Sequence, residues 1–541
     1  MIGGIRGNGN IMMSLFDQLK MYWRFAWGLR RFLKEPVTLE QCREIILQRL
    51  QNREQNLLLL VKRAIYENKT SPYLKLLKLA GCEYGDFEQM VQSDGIEPAL
   101  KKLASEGVYV SVEEFKGKKE IIRGGEIFKF KEKDFDNPFI SGHLETRSGA
   151  SRSAGTRTEY DFDYITANRV VYTIPRLDAY GVLDAPFAVW APIMPGSGPV
   201  MVLIHTKIGQ TPLRWFSPVE KRNFKPSLKN IIGTSFFVYA GRLSGAELPA
   251  PEYVSIDEAW RVAEWMDRVI KKHGKCCLAA YPSLAVRVCQ AAKERGIDLK
   301  GATFFSGGEP ITEAKYKEIA SANAVVSPSY IFSEGGLVGN GCRKPTAPDD
   351  VHLYKDSFAL IQHSREVPHA AVSVDAFLFT TLLPTTPKIL LNVESGDYGV
   401  VETRSCGCKF EELGFTDHIY NIRGFDKLTG EGMTFIGTDL MKIIEEVLPV
   451  KFGGTSTDYQ MVEEEDEQGH TRMSIVVSPE LGTIDEAELI KTILTGLSKG
   501  KDGKRMMAEV WDQAKTLRVK RIRPFVTPAG KLMPLHIYRP R

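Results

Sequence analysis

Residues 276–314 read CCLAAYPSLAVRVCQAAKERGIDLKGATFFSGGEPITEA. The stretch holds two short apolar runs, Cys277–Ala280 and Thr303–Ser306. Each is followed by a segment with helical spacing, Leu284–Arg295 and Ile311–Ala320. Four or five apolar residues bounded by Pro or Gly match a buried strand, and the segments between them are long enough for helices. Strand, helix, strand, helix in that order predicts a largely parallel α/β sheet. Gly307, Gly308 and Pro310 then fall at the C-terminal end of the second strand, the edge where open α/β sheets receive ligands.

Upstream, Val200–Ile204 (VMVLI) and Phe236–Ala240 (FFVYA) are further strand candidates, and Ile256–Lys272 has helical spacing. From about residue 107, GVYVSVEEFKG and GGEIFKF alternate like strands. Residues 38–104 read as helices with polar breaks at Asn68–Ser71 and Ser93–Gly95. Residues 14–33 place Leu15, Leu19, Tyr22, Trp23, Ala26, Leu29 and Leu33 on one helical face, among Lys20, Arg24, Arg30 and Arg31. Such a helix can lie on a membrane surface or dock on a domain. Docking is expected, because globular helices carry the same stripe.

After about residue 432 a smaller unit begins. Leu440–Leu448, Ile484–Leu497 and Met506–Thr516 look helical. Asp458–Val462 and Met473–Val477 look like paired strands around the acidic turn Glu463–Gly469, which reads as a solvated tip. The chain thus divides into a helical region 1–105, a large domain 106–430 and a small domain 431–541.

The balance of 71 Lys and Arg against 67 Asp and Glu, net +4 over 541 residues, excludes nucleic acid as the main partner. At 43% hydrophobic and 26% charged residues, a mostly disordered chain is excluded too. No apolar run approaches the roughly 18–20 residues that span a bilayer. The opening MIGGIRGNGNIMM lacks the apolar core of a secretory signal and reads as an unstructured leader, with a start at Met12 or Met13 as an alternative. Eight cysteines without a framework spacing point to a reducing, cytoplasmic setting.

Five short motifs carry chemistry. Thr146–Thr158, TRSGASRSAGTRT, joins glycines, hydroxyls and arginines, which can cradle phosphate oxygens, although it lacks the GKS/GKT of a Walker loop. Ser306–Pro310, SGGEP, allows a flat ligand against the backbone. Tyr330–Gly336, YIFSEGG, offers a ring for a base, and a hydroxyl and carboxylate for phosphate and Mg2+. Ser395–Asp397, SGD, brings a carboxylate to a turn, able to accept ribose hydroxyls. Thr527–Leu532, TPAGKL, puts a lysine on a late turn, a point charge for a phosphate. Each alone also fits an ordinary connection or turn.

In this order and separation the motifs resemble those of the adenylate-forming superfamily of acyl-CoA synthetases, adenylation domains and luciferases. Residues 276–314 and YIFSEGG are most similar to the phenylacetate–CoA ligase branch, with its "GaEPwTE" and "YGlSE". The resemblance covers roughly 105–541. It implies an α/β fold: a large adenylate-forming domain of mixed β-sheets flanked by helices, plus a small mobile α+β C-terminal domain. It further implies that Gly308, Glu309 and Pro310 line the adenine and acyl pockets and that Tyr330 stacks on adenine. Ser333 would sit near the phosphates, Glu334 hold Mg2+, Asp397 bind ribose, and Lys531 stabilise the adenylation transition state.

The chain departs from the pattern in three places. Its phosphate loop lacks the Gly-Lys-Pro ending, so either Arg147–Ser151 or Ser153–Thr158 is the match, with Ser148, Gly149, Ser151, Ser153 and Thr156 as phosphate ligands and Arg152 or Arg157 in the lysine's role. Ile331 stands where the branch has glycine. The hinge is NIRGFDKLTGEGM (421–433), with Arg423 as the ribose or phosphate arginine and Glu431 as the hinge acid.

Cys342, His352, Cys406 and Cys408 are a zinc-like donor set, although their spacing alone also suits buried free thiols and a histidine without a metal. The branch resemblance implies that they bind a structural Zn2+, with His418 and His363 as rival fourth ligands. Cys276 and Cys277 are expected in the core. The implied activity is ATP-dependent activation of a small carboxylic acid, then transfer to a thiol, either CoA or the phosphopantetheine of an acyl carrier protein. Transfer to an amine or protein, and a degenerate nucleotide-binding subunit, are the alternatives. His205, Trp215, Phe237, Tyr239 and Arg242 fall in the acyl-pocket region of the resemblance. Oligomeric state stays open, a homodimer included.

Overall fold

The computed structural model describes residues 15–117, 119–140, 144–147, 157–194, 196–218, 228–309, 311–332, 334–366, 373–424, 429–430, 433–434, 438–465, 471–498, 517–526, 532 and 534–537. One sheet of twelve strands dominates. In chain order its strands are β1 Phe187–Trp190, β2 Arg214–Ser217, β3 Pro251–Tyr253, β4 Cys276–Ala280, β5 Ala302–Gly307 and β6 Val325–Phe332, then β7 Gly336–Asn340, β8 Val351–Leu353, β9 Phe358–Glu366, β10 Ser373–Thr381, β11 Val393–Thr403 and β12 Asp417–Gly424. Across the sheet they lie β9-β10-β11-β12-β8-β7-β6-β5-β4-β1-β2-β3. From β6 to β3 the neighbours are parallel. From β6 back to β9 they are antiparallel.

The helices used below are α1 Leu15–Lys34, α2 Gly198–Lys207, α3 Leu228–Leu243, α4 Ala259–His273, α5 Pro282–Glu294, α6 Glu313–Ser321 and α7 Glu486–Ser498. The run β4–α5–β5–α6–β6 follows the alternation expected from residues 276–314. Pro282 starts α5 where its missing N–H is harmless. Leu278, Leu284, Val288, Phe304 and Ile319 bury the apolar faces of strands and helices in one core.

Three strand expectations are overturned. VMVLI lies in α2 and FFVYA in α3. Val202, Leu203, Ile204 and His205 of α2 are all buried, so the helix shows no polar face and its apolar run mimics a core strand. GVYVSVEEF holds a single bridge, Val110 to Val393, and then a helical turn, Val112–Phe115. Ser111 closes that turn: its Oγ accepts from the Glu114 N–H, and the Glu114 carboxylate accepts from the Ser111 N–H. GGEIFKF does pair, Glu126–Phe128 against Ile121–Arg123. Strands β1, β2 and β3 are too short to show a period and were not anticipated.

Helix α1 is docked: Phe25 and Phe32 pack on Phe162 at 5.6 and 5.1 Å, and Leu29 is fully buried. Leu57, Ile65, Leu77 and Leu100 from the helices of 38–104 share one core with Phe377 and Leu378 of β10.

A second sheet lies in the C-terminal part. Its strands are β13 Tyr459–Glu465, β14 Thr471–Val477, β15 Leu517–Arg521 and β16 Leu535–Ile537, ordered β15-β14-β13-β16. β13 and β14 pair antiparallel as expected. Leu440, Ile444, Met461, Ile475 and Ile493 of α7 form a core that draws only on this part of the chain. The fold is α/β, a large mixed sheet flanked by helices with a smaller α+β unit after it. The expected helix at Met506–Thr516 lies outside the described residues, as does most of the acidic tip.

Candidate active site and metal centre

The C-terminal ends of parallel strands β4, β5 and β6 converge on one edge of the sheet. At the end of β5 the chain turns through Gly307 and Gly308. A Cβ on Gly307 would stand 3.0 Å from both Cβ and O of Ser329, and Gly308 has φ +80°. Gly308 thus has the backbone that favours glycine, and a side chain at Gly307 would press on Ser329. Glu309 follows, and its buried carboxylate accepts from Ser283 N at 3.0 Å and Ser283 Oγ at 2.9 Å. Ser283 lies in the first turn of α5, so the acid sits where the helix exposes unpaired N–H groups and positive dipole. Glu309 thus spends its carboxylate on α5; Pro310 lies outside the described residues.

Tyr330 is on β6 and Asp397 on β11, with Gly396 at φ +82° inside the strand where a turn was expected. The Tyr330 hydroxyl donates to Asp397 Oδ2 at 2.9 Å and to Ser395 Oγ at 3.3 Å. Burial, then the Asp397 charge, push the Tyr330 phenol well above its ordinary range, so it stays a donor. Phe332 and Phe379 pack around its ring. Glu334, just past β6, lies 3.9 Å from Lys116 Nζ. A second acid, Glu132, lies near the same lysine; burial raises its carboxyl, and Lys388 at 3.6 Å opposes that.

Arg423 pairs opposite Tyr398 on the β11–β12 ladder and gives its guanidinium to Asp349 at 3.1 Å. Of the acyl-pocket candidates, His205 is buried against the Phe187 ring at 3.5 Å and held near 3 by burial, Trp215 and Phe237 are core, Tyr239 is exposed, and Arg242 donates to Leu248 O. The anticipated phosphate ligands Ser148, Gly149, Ser151, Ser153 and Thr156 lie outside the described residues, as do Ser333, Glu431 and Lys531. Leu532, one residue beyond Lys531, is buried, and its N–H donates to Ser283 Oγ at 3.4 Å. Sequence reasoning missed Ser283, whose signal was a hydroxyl in the first turn after an apolar strand. It also missed Lys116 and Lys315, which carry no local signal.

Cys342, His352, Cys406 and Cys408 come together: one donor atom from each lies within 4.8 Å of the others. His352 Nε2 is 3.3 Å from Cys408 Sγ and 3.7 Å from Cys406 Sγ. The carbonyl of Phe415, 2.7 Å from His352 Nδ1, can only accept, so Nδ1 carries the proton and Nε2 turns its lone pair to the thiols. The thiols do not ionise alike: burial pushes Cys406 up to about 11, the bond to Cys342 pushes Cys408 up to about 11, and that same bond holds Cys342 below its ordinary value. Three sulfurs and one imidazole at these separations suit a tetrahedral Zn2+. Of the rivals, His418 is the ring neighbour of His352 at 4.0 Å but turns Nδ1 to Asp350 at 2.8 Å and is not in the four-residue donor group, while His363 packs on Tyr109.

No protein-family model matches the chain, and no curated protein matches its sequence. Among solved structures, 2-hydroxyisobutyryl-CoA ligase in its postadenylation state with R3-HIB-AMP is similar at a TM-score of 0.50. The match has 14% identity and covers 93% of this chain and 90% of that one. The chain has the adenylate-forming fold. The same ligase in an open conformation with 2-HIB-AMP and CoA matches at 0.41, with 13% identity over 98% and 97% of the two chains. O-succinylbenzoate coenzyme A synthetase from Bacillus subtilis, with ATP and magnesium, matches at 0.41, with 10% identity over 73% and 69%. The motif-bearing edge of this adenylate-forming fold is the one at which β4, β5 and β6 end.

Proposed function

We propose that the chain is an AMP-forming acid–thiol ligase. The observation that carries this is the bond from Tyr330 to Asp397, two motifs 397 − 330 = 67 residues apart, within an adenylate-forming fold. A substrate carboxylate oxygen attacks the α-phosphorus of ATP, the bond to the bridging oxygen breaks, and pyrophosphate leaves with that electron pair. A thiol then attacks the acyl carbon and AMP leaves. Little covalent chemistry falls to the protein, which aligns the reactants and offsets developing charge.

In this reading Tyr330 presents its ring to adenine and Asp397 accepts from the ribose. Gly308 leaves room for the ligand against the backbone, and Ser333 and the hydroxyls of Thr146–Thr158 hold phosphate. Lys531 brings positive charge to the α-phosphate. Glu334 would hold Mg2+, which when bound neutralises phosphate charge. The four Cys and His residues would hold a Zn2+ that ties crossing loops together without entering the reaction, and their meeting supports the phenylacetate–CoA ligase-like reading. The acceptor is CoA or a carrier-protein phosphopantetheine. The division at 105 and 430 is part of the same reading, as is a cytoplasmic setting; all eight cysteines are free, and no described helix is long and apolar enough to cross a membrane.

The test is carboxylate-dependent ATP–pyrophosphate exchange over a panel of acids, followed by CoA, holo-carrier or amine as acceptor. At least one acid class should support exchange, and Lys531→Ala should abolish it while ATP still binds. No exchange with any acid would favour the degenerate subunit, and AMP release with an amine alone would favour amide formation.

A further inference from the structure

Glu309, Lys315 and Glu445 form a bridge that the adenylation chemistry does not call for. Lys315 Nζ lies 3.8 Å from Glu309 Oε2 and 3.7 Å from Glu445 Oε1. All three side chains are at most 2% exposed. Glu309 lies in the large sheet's β5–α6 connection and Lys315 in the first turn of α6. Glu445 belongs to the turn Ile443–Val447, whose Ile443 and Ile444 sit in the core of the C-terminal unit. One ammonium thus joins two separate cores.

Burying two carboxylates with one ammonium costs more desolvation than it returns unless every lone pair is satisfied. Here Glu445 Oε1 is buried without a hydrogen bond. The bridge is therefore a poor source of stability and a good reversible contact, since parting the two units returns the Glu445 carboxylate to water and leaves Glu309 on Ser283. It also lies on a continuous polar chain. Ser283 donates to Glu309, and Leu532 N–H donates to Ser283. A further cross-unit ion pair among the described residues, Arg523 to Asp257 at 2.7 Å, is exposed.

We propose that Lys315 is a positioning residue: through Glu309 and Glu445 it seats the C-terminal unit on the ends of β4 and β5. It holds the pose in which the segment bearing Lys531 serves adenylation, and its release accompanies the thiol step. The link to adenylation rests on the function proposed above; the seating does not.

The test uses the full chain with Lys315→Met and, separately, Glu445→Gln, which keeps shape and removes one charge. Hydrogen–deuterium exchange is read on peptides covering 282–292 and 532–537, with 473–477 as the fold control. Both variants should exchange at least fivefold faster in the first two regions and unchanged in the third, and the double variant should add nothing to Lys315→Met. Pyrophosphate exchange should fall about tenfold, while thiolysis of preformed acyl-adenylate changes less than twofold. Unaltered protection in Glu445→Gln, or equal loss of both half-reactions, would overturn the proposal. If no acid supports exchange in the wild type, the function fails while the deuterium result still decides the bridge.

Discussion

Two clusters of buried polar side chains tie distant segments together, and they do so with opposite chemistry. The Cys342–His352–Cys406–Cys408 cluster lies within the large unit and joins β8 to the loops around β7 and β12. The Glu309–Lys315–Glu445 bridge joins the large unit to the C-terminal one. With the proposed Zn2+ bound, thiolates and imidazole would make bonds that water cannot replace, and that tie would be permanent. An ammonium between carboxylates competes with water on nearly equal terms, so that tie can open. In the function proposed above, the fixed tie would hold the shape of crossing loops and the breakable one would sit where the C-terminal unit turns.

The strongest way to break this contrast is Cys408→Ser. The wild type should carry one Zn2+ per chain by metal analysis, and the variant less than half of that. Its Tm should fall by roughly 10 °C, from several kcal/mol of lost coordination at about 2–4 °C per kcal/mol. An unchanged Tm after chelation would make the cluster a set of ordinary core thiols.

Lys315→Met should be milder by calorimetry. Undocking caps its cost, because Glu445 regains water while Glu309 keeps its bonds to Ser283, and the main transition should drop by only a few degrees. A loss as large as that of Cys408→Ser would make the bridge a structural element.

A third, smaller effect belongs to the neighbourhood of the fixed tie. Asp356 is fully buried, takes a bond from Tyr172 at 2.6 Å, and burial raises its carboxyl from 3.8 to about 6. The folded state then holds a proton that the unfolded chain has lost between about pH 4 and 6. Its contribution to stability is full below pH 4 and is lost as pH rises through 6, worth roughly 2–3 kcal/mol. Denaturant unfolding of Asp356→Asn across pH 4–7 should show a shallower fall than the wild type. Parallel curves would remove Asp356 from the account.

The smallest effect should come from Arg523→Ala. Its pair with Asp257 is exposed, and such pairs contribute about 0–1 kcal/mol. Exchange activity should stay within about twofold, which separates the buried cross-unit contact from the exposed one.

The alternation in residues 276–314 was legible because helices α5 and α6 keep a polar face and end at turn residues. α2 was not, because a helix buried on every side loses the period that distinguishes it from a strand. Val110 misled for a different reason: a capped turn beginning at Ser111 interrupts an apparent alternation after one bridge. At the site, the turn after β5 and the meeting of Tyr330 with Asp397 follow from short motifs in a fixed order. The cysteine set was legible through resemblance, since a Cys-x-Cys pair 54 residues from His352 has no spacing rule. Lys315 and Glu445, 445 − 315 = 130 residues apart, had none either; only the packing of two units brings them together.

The most direct measurement follows one oxygen atom. The chain is incubated with ATP, a thiol acceptor and an accepted acid labelled with 18O in its carboxylate, and the nucleotide product is weighed by mass spectrometry. Attack by the carboxylate on the α-phosphorus predicts AMP carrying one 18O. Label in inorganic phosphate with ADP as product, or AMP without label, would contradict adenylate formation.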